Sequence, residues 1–121
     1  MNPLLLCTDL DRTLLPNGPQ PESAQARELF RRFAAREEVI LVYVTGRHKT
    51  LVREAIEIYR IPLPDYVIAD VGSTIYRLED NSWVYWQQWE SEIEKAWNGY
   101  SCDELHSLLS GVRELRLQER G

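Results

Sequence analysis

The sequence predicts an α/β protein whose first half is a partial parallel sheet covered by helices. Three short apolar runs end at Asp9, Thr45 and Asp70, and stretches with helical periodicity separate them. Continuous apolar runs of this length are typical of strands that are buried on both faces, as in parallel sheets. The order strand, helix, strand, helix, strand therefore predicts a three-layer, Rossmann-like arrangement with right-handed crossovers.

Each of these elements has its own signal. The strands are predicted over residues 4–9, 39–45 and 66–70, and the first two helices over residues 21–36 and 49–59. Apolar pairs recur at i,i+4 in both helical stretches, with charges on the remaining face. Pro21 suits the first turn of its helix, and Pro62 with Pro64 ends the second helix. Cys7 lies in the first apolar run and is expected to be a small buried hydrophobe.

The second half of the chain shows a different pattern. Residues 74–78 and 83–86 flank a short polar segment and predict a β-hairpin. A helix is predicted from about residue 89 to residue 100, and Ser101 followed by Glu104 predicts a capping box for one more short helix. The four tryptophans of this half are expected to pack at the core or at a domain junction, with a sugar-stacking platform as the alternative.

Composition and charge exclude several classes of function. The 121 residues include 19 acidic and 14 basic side chains, which gives a net charge of −5. An acidic chain of this kind lacks the basic face that binds nucleic acid, so no nucleic-acid partner is expected. No apolar run approaches the ~20 residues that span a bilayer, and the N-terminal run is too short for a secretory signal, so no membrane partner is expected. With two cysteines and no zinc spacing, the expected location is the cytoplasm.

Two acids mark the end of the first predicted strand. Asp9 and Asp11 are separated by one residue, at the sheet edge where open α/β proteins bind their ligands. Paired carboxylates suit Mg²⁺, which prefers oxygen ligands. One carboxylate can attack phosphorus while its neighbour transfers protons. The alternative, on these two acids alone, is that they only begin a turn.

A second motif follows the second predicted strand. Thr45, Gly46 and Arg47 combine a hydroxyl, free backbone N–H groups and a fixed positive charge, which together form a natural phosphate cradle. If the first two strands are neighbours, Thr45 emerges beside Asp9. Taken alone, the tripeptide is an ordinary turn, and its place after a strand makes it corroborating evidence.

These motifs together resemble the haloacid dehalogenase (HAD) superfamily of phosphohydrolases. The matching residues are Asp9-x-Asp11-x-Thr13 and Thr45-Gly46-Arg47. Segments 8–15 and 64–76 are similar to the branch that contains sucrose-phosphate phosphatase and mannosyl-3-phosphoglycerate phosphatase. The resemblance implies that residues 1–88 are the N-terminal part of a HAD core with a β-hairpin, and that residues 89–121 begin an α/β cap domain.

The resemblance also implies a role for each matching residue. Asp9 would be the nucleophile that forms an aspartyl-phosphate, and Asp11 would be the general acid and base. Both would bind Mg²⁺, the expected cofactor, and the expected substrate is a sugar phosphate. The residues expected to bind the phosphate or the sugar are Thr13, Thr45, Gly46, Arg47, His48 and Asp70.

Two parts of the HAD pattern are absent from these 121 residues. The family uses a phosphate-binding lysine and a later Gly-Asp-x-x-x-Asp loop, whereas the lysines here are Lys49, in the second motif, and Lys95, in the cap-like segment. We therefore expect an incomplete N-terminal part of a Mg²⁺-dependent sugar-phosphate phosphatase, which self-associates or lacks a C-terminal half. The alternative is a non-catalytic module that binds a sugar phosphate or a partner protein. A metal-dependent transferase built on the paired acids fits the second motif poorly.

Overall fold

A five-stranded mixed sheet forms the centre of the molecule. The computed structural model describes residues 2–117. The strands follow one another in the sheet in chain order and are β1 (Leu4–Asp9), β2 (Val39–Val44), β3 (Tyr66–Ala69), β4 (Thr74–Glu79) and β5 (Ser82–Tyr85). The first three strands are parallel, and β4 and β5 add an antiparallel hairpin. The predicted α/β class, the three parallel strands and the hairpin are confirmed.

Four helices accompany the sheet, namely α1 (Ala26–Ala34), α2 (Lys49–Tyr59), α3 (Gln87–Ala96) and α4 (Cys102–Leu109). The bounds of α2 and the capping box of α4 agree with the sequence prediction. The Ser101 hydroxyl accepts a hydrogen bond from the Glu104 N–H at 3.1 Å, and the Glu104 carboxylate accepts one from the Ser101 N–H at 2.9 Å. Within residues 2–117, no helix is long and apolar enough to cross a membrane.

The first helix is shorter than predicted. Residues 21–25 are not helical, so the placement of Pro21 in the first helical turn is wrong. The chain instead turns at Ser23, whose carbonyl accepts from the Ala26 N–H at 3.1 Å. This turn lets Glu22 reach Arg27 with a 2.6 Å ion pair, which side chains five residues apart cannot form on one face of a regular helix.

The core lies between the sheet, α2 and the loop that follows β1. Its fully buried members include Leu10, Leu41, Tyr43 and Val52, and α1 adds partly buried side chains such as Phe30. Burial raises the pKa of Tyr43, whose hydroxyl donates a 2.5 Å hydrogen bond out of the core. Strand β2 is thus the most buried strand of the sheet's first half, and the second motif begins directly after it.

Strand β1 is less buried than its composition predicts. Leu4 and Leu5 are 45% and 61% exposed, and Cys7 is exposed. Among residues 2–117, β1 is an edge strand that pairs with β2 alone. The prediction that this run is buried on both faces, with a buried cysteine, is therefore wrong for this structure, because burial of an apolar strand requires neighbours on both sides.

Candidate active site

The parallel register of β1 and β2 brings the two motifs together. Asp9 is the partner of Val44, so Thr45 is the first residue beyond that pair. Strand β3 ends beside them, because the Thr45 N–H donates to the carbonyl of Ile68 at 2.9 Å. The predicted adjacency of the first two strands is confirmed. Asp9, Thr45 and Asp70 consequently lie along one carboxyl edge of the sheet.

The loop after β1 folds back tightly on itself. The N–H groups of Thr13 and Leu15 both donate to the carbonyl of Leu10, at 3.2 and 2.8 Å. Leu10 and Leu15 are buried in the core and anchor the loop, while Asp9 is exposed to solvent. The Thr13 hydroxyl donates to Oδ2 of Asp9 at 2.9 Å. Thr13 therefore orients the carboxylate that the resemblance assigns as the nucleophile.

Asp11 is held by two side chains. Nε of Arg47 lies 3.1 and 3.0 Å from the two carboxylate oxygens, and Nη2 of Arg47 lies 2.7 Å from Oδ1. Asn17 donates from Nδ2 to the same Oδ1 at 2.7 Å, and its own side-chain oxygen accepts from the Arg12 N–H at 2.7 Å. Asn17 was not among the residues predicted from the sequence. Its only signal was its place in a Pro-Asn-Gly-Pro turn close after the paired acids.

Contact with Arg47 favours the charged form of Asp11. Hydrogen bonds from Arg47 are the largest cause that lowers the pKa of Asp11; partial burial opposes them, and Asn17 lowers the pKa further. The same contact raises the pKa of Arg47. The side chains are 22% exposed for Arg47 and 42% exposed for Asp11, so solvent screens part of this attraction. Asp11 is therefore a carboxylate at neutral pH, fixed in one orientation.

The second motif forms the turn into α2. The buried Thr45 hydroxyl accepts from the Arg47 N–H at 3.1 Å, and Nη1 of Arg47 donates to the carbonyl of Leu51 at 3.2 Å. His48 is the N-cap of α2, with Nδ1 accepting from the Leu51 N–H at 3.4 Å. His48 thus has a structural role in the helix start. The contacts of Thr45, Gly46 and His48 with a substrate stay predictions.

A left-handed turn follows β3. Asp70, Val71 and Gly72 have φ values of 51°, 59° and 93°. The Asp70 carboxylate accepts from the Thr74 hydroxyl at 2.8 Å, and the Asp70 N–H donates to the carbonyl of Arg47 at 3.0 Å. Asp70 therefore closes this turn against the second motif, and its predicted contact with a substrate stays a prediction.

The oxygen atoms that Asp9 and Asp11 offer are of the type that binds Mg²⁺ in proteins. Asp9 and Asp11 offer carboxylate oxygens and backbone carbonyls, the hard ligands that Mg²⁺ prefers. Within residues 2–117, no group of three or more His, Cys, Asp and Glu side chains is arranged to hold a metal ion. Mg²⁺ keeps several waters in most protein sites, so two protein ligands are compatible with binding.

Comparison with known proteins decides the family. The family model described as sucrose-6F-phosphate phosphohydrolase matches residues 2–121. This chain belongs to that family. A HAD-like hydrolase from Nitrosococcus oceani is 53% identical over 116 residues, which are 96% of this chain and 31% of that protein. A glucosylglycerol-phosphate synthase from Pseudomonas anguilliseptica is 34% identical over 98 residues, 81% of this chain and 12% of that protein.

Solved structures of other proteins agree with the fold. The sucrose-phosphatase from Synechocystis sp. PCC6803, in complex with sucrose and phosphate, matches with a TM-score of 0.76 and 29% identity. The match covers 98% of this chain and 44% of that protein. A HAD-like hydrolase from Bacillus subtilis, at 18% identity and a TM-score of 0.65, has the same fold. The predicted membership of the HAD superfamily is confirmed, and this chain spans less than half of its sucrose-phosphatase counterpart.

Proposed function

We propose that this chain carries the nucleophile half of the active site of a Mg²⁺-dependent sugar-phosphate phosphatase. The observation that carries the proposal is the placement of Asp9 and Asp11 at the carboxyl end of β1, next to Thr45 and Arg47. Membership of the sucrose-6F-phosphate phosphohydrolase family supports the reaction class. The similar sucrose-phosphatase, which holds sucrose and phosphate, supports a phosphorylated sugar such as sucrose 6-phosphate as the substrate class.

The proposed reaction uses the two acids in two steps. A carboxylate oxygen of Asp9 forms a bond to phosphorus while the bond from phosphorus to the sugar oxygen breaks. Because Asp11 is a carboxylate at neutral pH, it first accepts a proton from the phosphate group of the monoanionic substrate and then gives that proton to the leaving sugar oxygen. Water then attacks the aspartyl-phosphate, Asp11 accepts a proton from the water, and phosphate leaves with Asp9 restored. The Thr13 hydroxyl supports the first step because it holds the Asp9 carboxylate in a fixed orientation.

Arg47 is suited to hold Asp11 and a substrate oxygen at the same time. Its contacts with Asp11 and Leu51 use three of the five N–H donors of a guanidinium group. The remaining donors can contact a phosphate or sugar oxygen while Asp11 stays in place. Mg²⁺, held by the Asp9 carboxylate and the Asp11 carbonyl, would neutralise charge between the phosphate and the two acids.

Residues outside this chain complete the proposed site. The chain spans 31% of its Nitrosococcus relative and 44% of the Synechocystis sucrose-phosphatase. Both lysines of the chain have contacts of other kinds: Nζ of Lys49 lies 5.5 Å from the ring centroid of Tyr76, and Lys95 pairs with Glu92 at 3.1 Å. Reading the coding frame beyond Gly121, together with the intact mass of the purified protein, tests whether further residues complete the site. A stop codon after Gly121 with a matching mass would contradict it.

Turnover of Asp9→Asn tests the reaction. The protein is purified at the length its reading frame encodes, and release of phosphate from sucrose 6-phosphate is measured with Mg²⁺ and with EDTA. We expect Asp9→Asn to lose at least about 10³-fold in turnover and to keep substrate binding, since the nucleophile is removed and the site's shape is preserved. EDTA should abolish turnover of the parent.

A matched control separates this effect from a general loss of charge. Asp80→Asn changes a carboxylate in the β4–β5 turn, at the opposite end of β4 from the site, and should leave turnover unchanged. Retained turnover in Asp9→Asn would contradict the nucleophile assignment. Binding of sucrose 6-phosphate by a parent protein that releases no phosphate would favour the non-catalytic module instead.

A further inference from the structure

Val71 combines two features that the fold alone does not require. Its φ and ψ of 59° and 32° lie in the left-handed region, which is a genuine outlier for a β-branched residue. Its side chain is 86% exposed, so the strain is not offset by burial in the core. Glycine or asparagine would adopt this conformation more readily. Strained residues of this kind cluster at active sites and ligand-binding sites.

The position of Val71 relates it to the candidate active site. Its N–H donates to the carbonyl of Thr45 at 3.3 Å, and the preceding Asp70 N–H donates to the carbonyl of Arg47 at 3.0 Å. A Cβ atom built at Gly46 would lie 3.7 Å from Cγ2 of Val71. The exposed methyl groups of Val71 therefore lie directly beside the turn that carries Thr45 and Arg47.

A side chain from the cap-like segment holds the same turn. Nε1 of Trp89, in the first turn of α3, donates to the carbonyl of Gly72 at 2.9 Å. This hydrogen bond links α3 to the residue that follows Val71. The position of the Val71 methyl groups thus depends on both the second motif and α3.

We propose that Val71 is a specificity-determining residue that contacts a C–H face of the sugar part of the substrate, with Trp89 as the positioning residue for this contact. The inference rests on the proposed function. Sugar rings present apolar C–H groups, and covering the exposed methyl groups with such a face removes apolar surface from water. The contact adds affinity for the sugar and none for the phosphate, because the methyl groups offer the phosphate no charge and no hydrogen bond.

Binding of two ligands tests the proposal. Dissociation constants for inorganic phosphate and for sucrose 6-phosphate are measured by calorimetry with Mg²⁺, for the protein at the length its reading frame encodes. Val71→Ala removes the two γ-methyl groups, and Trp89→Phe removes the N–H donor and keeps an aromatic ring. In both variants we expect sucrose 6-phosphate to bind roughly 3- to 10-fold more weakly, with phosphate binding unchanged.

A control and the thermal midpoints make the result specific. Val84→Ala removes the same methyl groups from another exposed valine, on β5, and should change neither dissociation constant. Thermal melting confirms that each variant is folded. Unchanged sucrose 6-phosphate binding in Val71→Ala, or equal weakening of both ligands, would overturn the role of Val71. If Trp89→Phe leaves the ratio of the two dissociation constants unchanged, the positioning role of Trp89 is overturned.

The same data distinguish failure of this inference from failure of the proposed function. A parent protein that binds neither ligand contradicts the proposed function, and the inference falls with it. A parent that binds both ligands, with a ratio of dissociation constants that Val71→Ala leaves unchanged, contradicts the inference alone.

Discussion

Replacing Arg47 with glutamine tests the contact that fixes Asp11. The substitution removes the positive charge and the bidentate hydrogen bonds to the carboxylate, while Asn17 still donates to Oδ1 of Asp11. Because Arg47 is the largest cause of the lowered pKa of Asp11, the pKa should rise toward the ordinary aspartate value of about 3.9 in Arg47→Gln.

The expected loss of stability follows from the exposure of the pair. With side chains 22% and 42% exposed, the ion pair is screened by solvent, and exposed pairs contribute about 0.2–1 kcal/mol. Its bidentate, charge-assisted geometry places it at the upper end of that range. We therefore expect Arg47→Gln to lower the free energy of unfolding by about 1 kcal/mol at pH 7, and by less in 1 M NaCl.

The sign of the pH dependence is fixed by the direction of the shift. The pKa of Asp11 is lower in the folded chain than in the unfolded chain, so its stabilising contribution is fully present above the unfolded value of about 3.9. The contribution disappears as the pH falls through the lowered, folded-state pKa. The difference in stability between the parent and Arg47→Gln should therefore shrink below about pH 4.

Carboxyl ¹³C NMR in EDTA-containing buffer gives the pKa of Asp11, and urea unfolding at several pH values gives the stability. Arg53→Gln is the matched control, because it removes an exposed arginine from the same helix. It should leave the pKa of Asp11 nearly unchanged. An identical Asp11 pKa in the parent and in Arg47→Gln would refute the reasoning, as would equal losses of stability in the two arginine variants.

Substitutions at two further positions test hydrogen bonds that stabilise the sheet. Tyr43→Phe removes the hydroxyl that donates to the Pro62 carbonyl. It should lower the free energy of unfolding, measured by urea unfolding, by about 1–2 kcal/mol. Asp65→Ala leaves the buried Leu41 N–H without its 2.7 Å acceptor and should cost about 1–3 kcal/mol, part of which Asp65→Asn should restore. Losses below about 0.3 kcal/mol would show that water replaces these bonds.

The sequence predicts local elements well where one segment carries the whole signal. Strand β2 has a continuous apolar run and is buried as expected, and α2 agrees with its predicted bounds because its apolar stripe and following prolines are local features. The capping box at Ser101 is equally local. Strand β1 differs, since its burial depends on neighbours that the segment itself does not specify.

Contacts within the candidate site were harder to predict, because they depend on how loops close. The pattern identified Arg47 as a binding residue, yet which group it contacts depends on how the chain folds over the 36 positions that separate it from Asp11. Asn17 escaped notice because its role requires the loop after β1 to return to Asp11. Val71 gave no signal either, because a strained backbone cannot be recognised from a valine in a sequence.

The two carboxylates of the first motif show why their roles can differ although they are two residues apart. Asp9 ends the strand, is exposed and contacts the neutral hydroxyl of Thr13. Asp11 lies in the loop and is held by a cation, Arg47, and an amide, Asn17. A nucleophile requires access to phosphorus, whereas a proton-transfer group requires a fixed orientation toward the leaving oxygen. The tight turn around Leu10 provides both environments, and this difference supports the proposed assignment of Asp9 to attack and Asp11 to proton transfer.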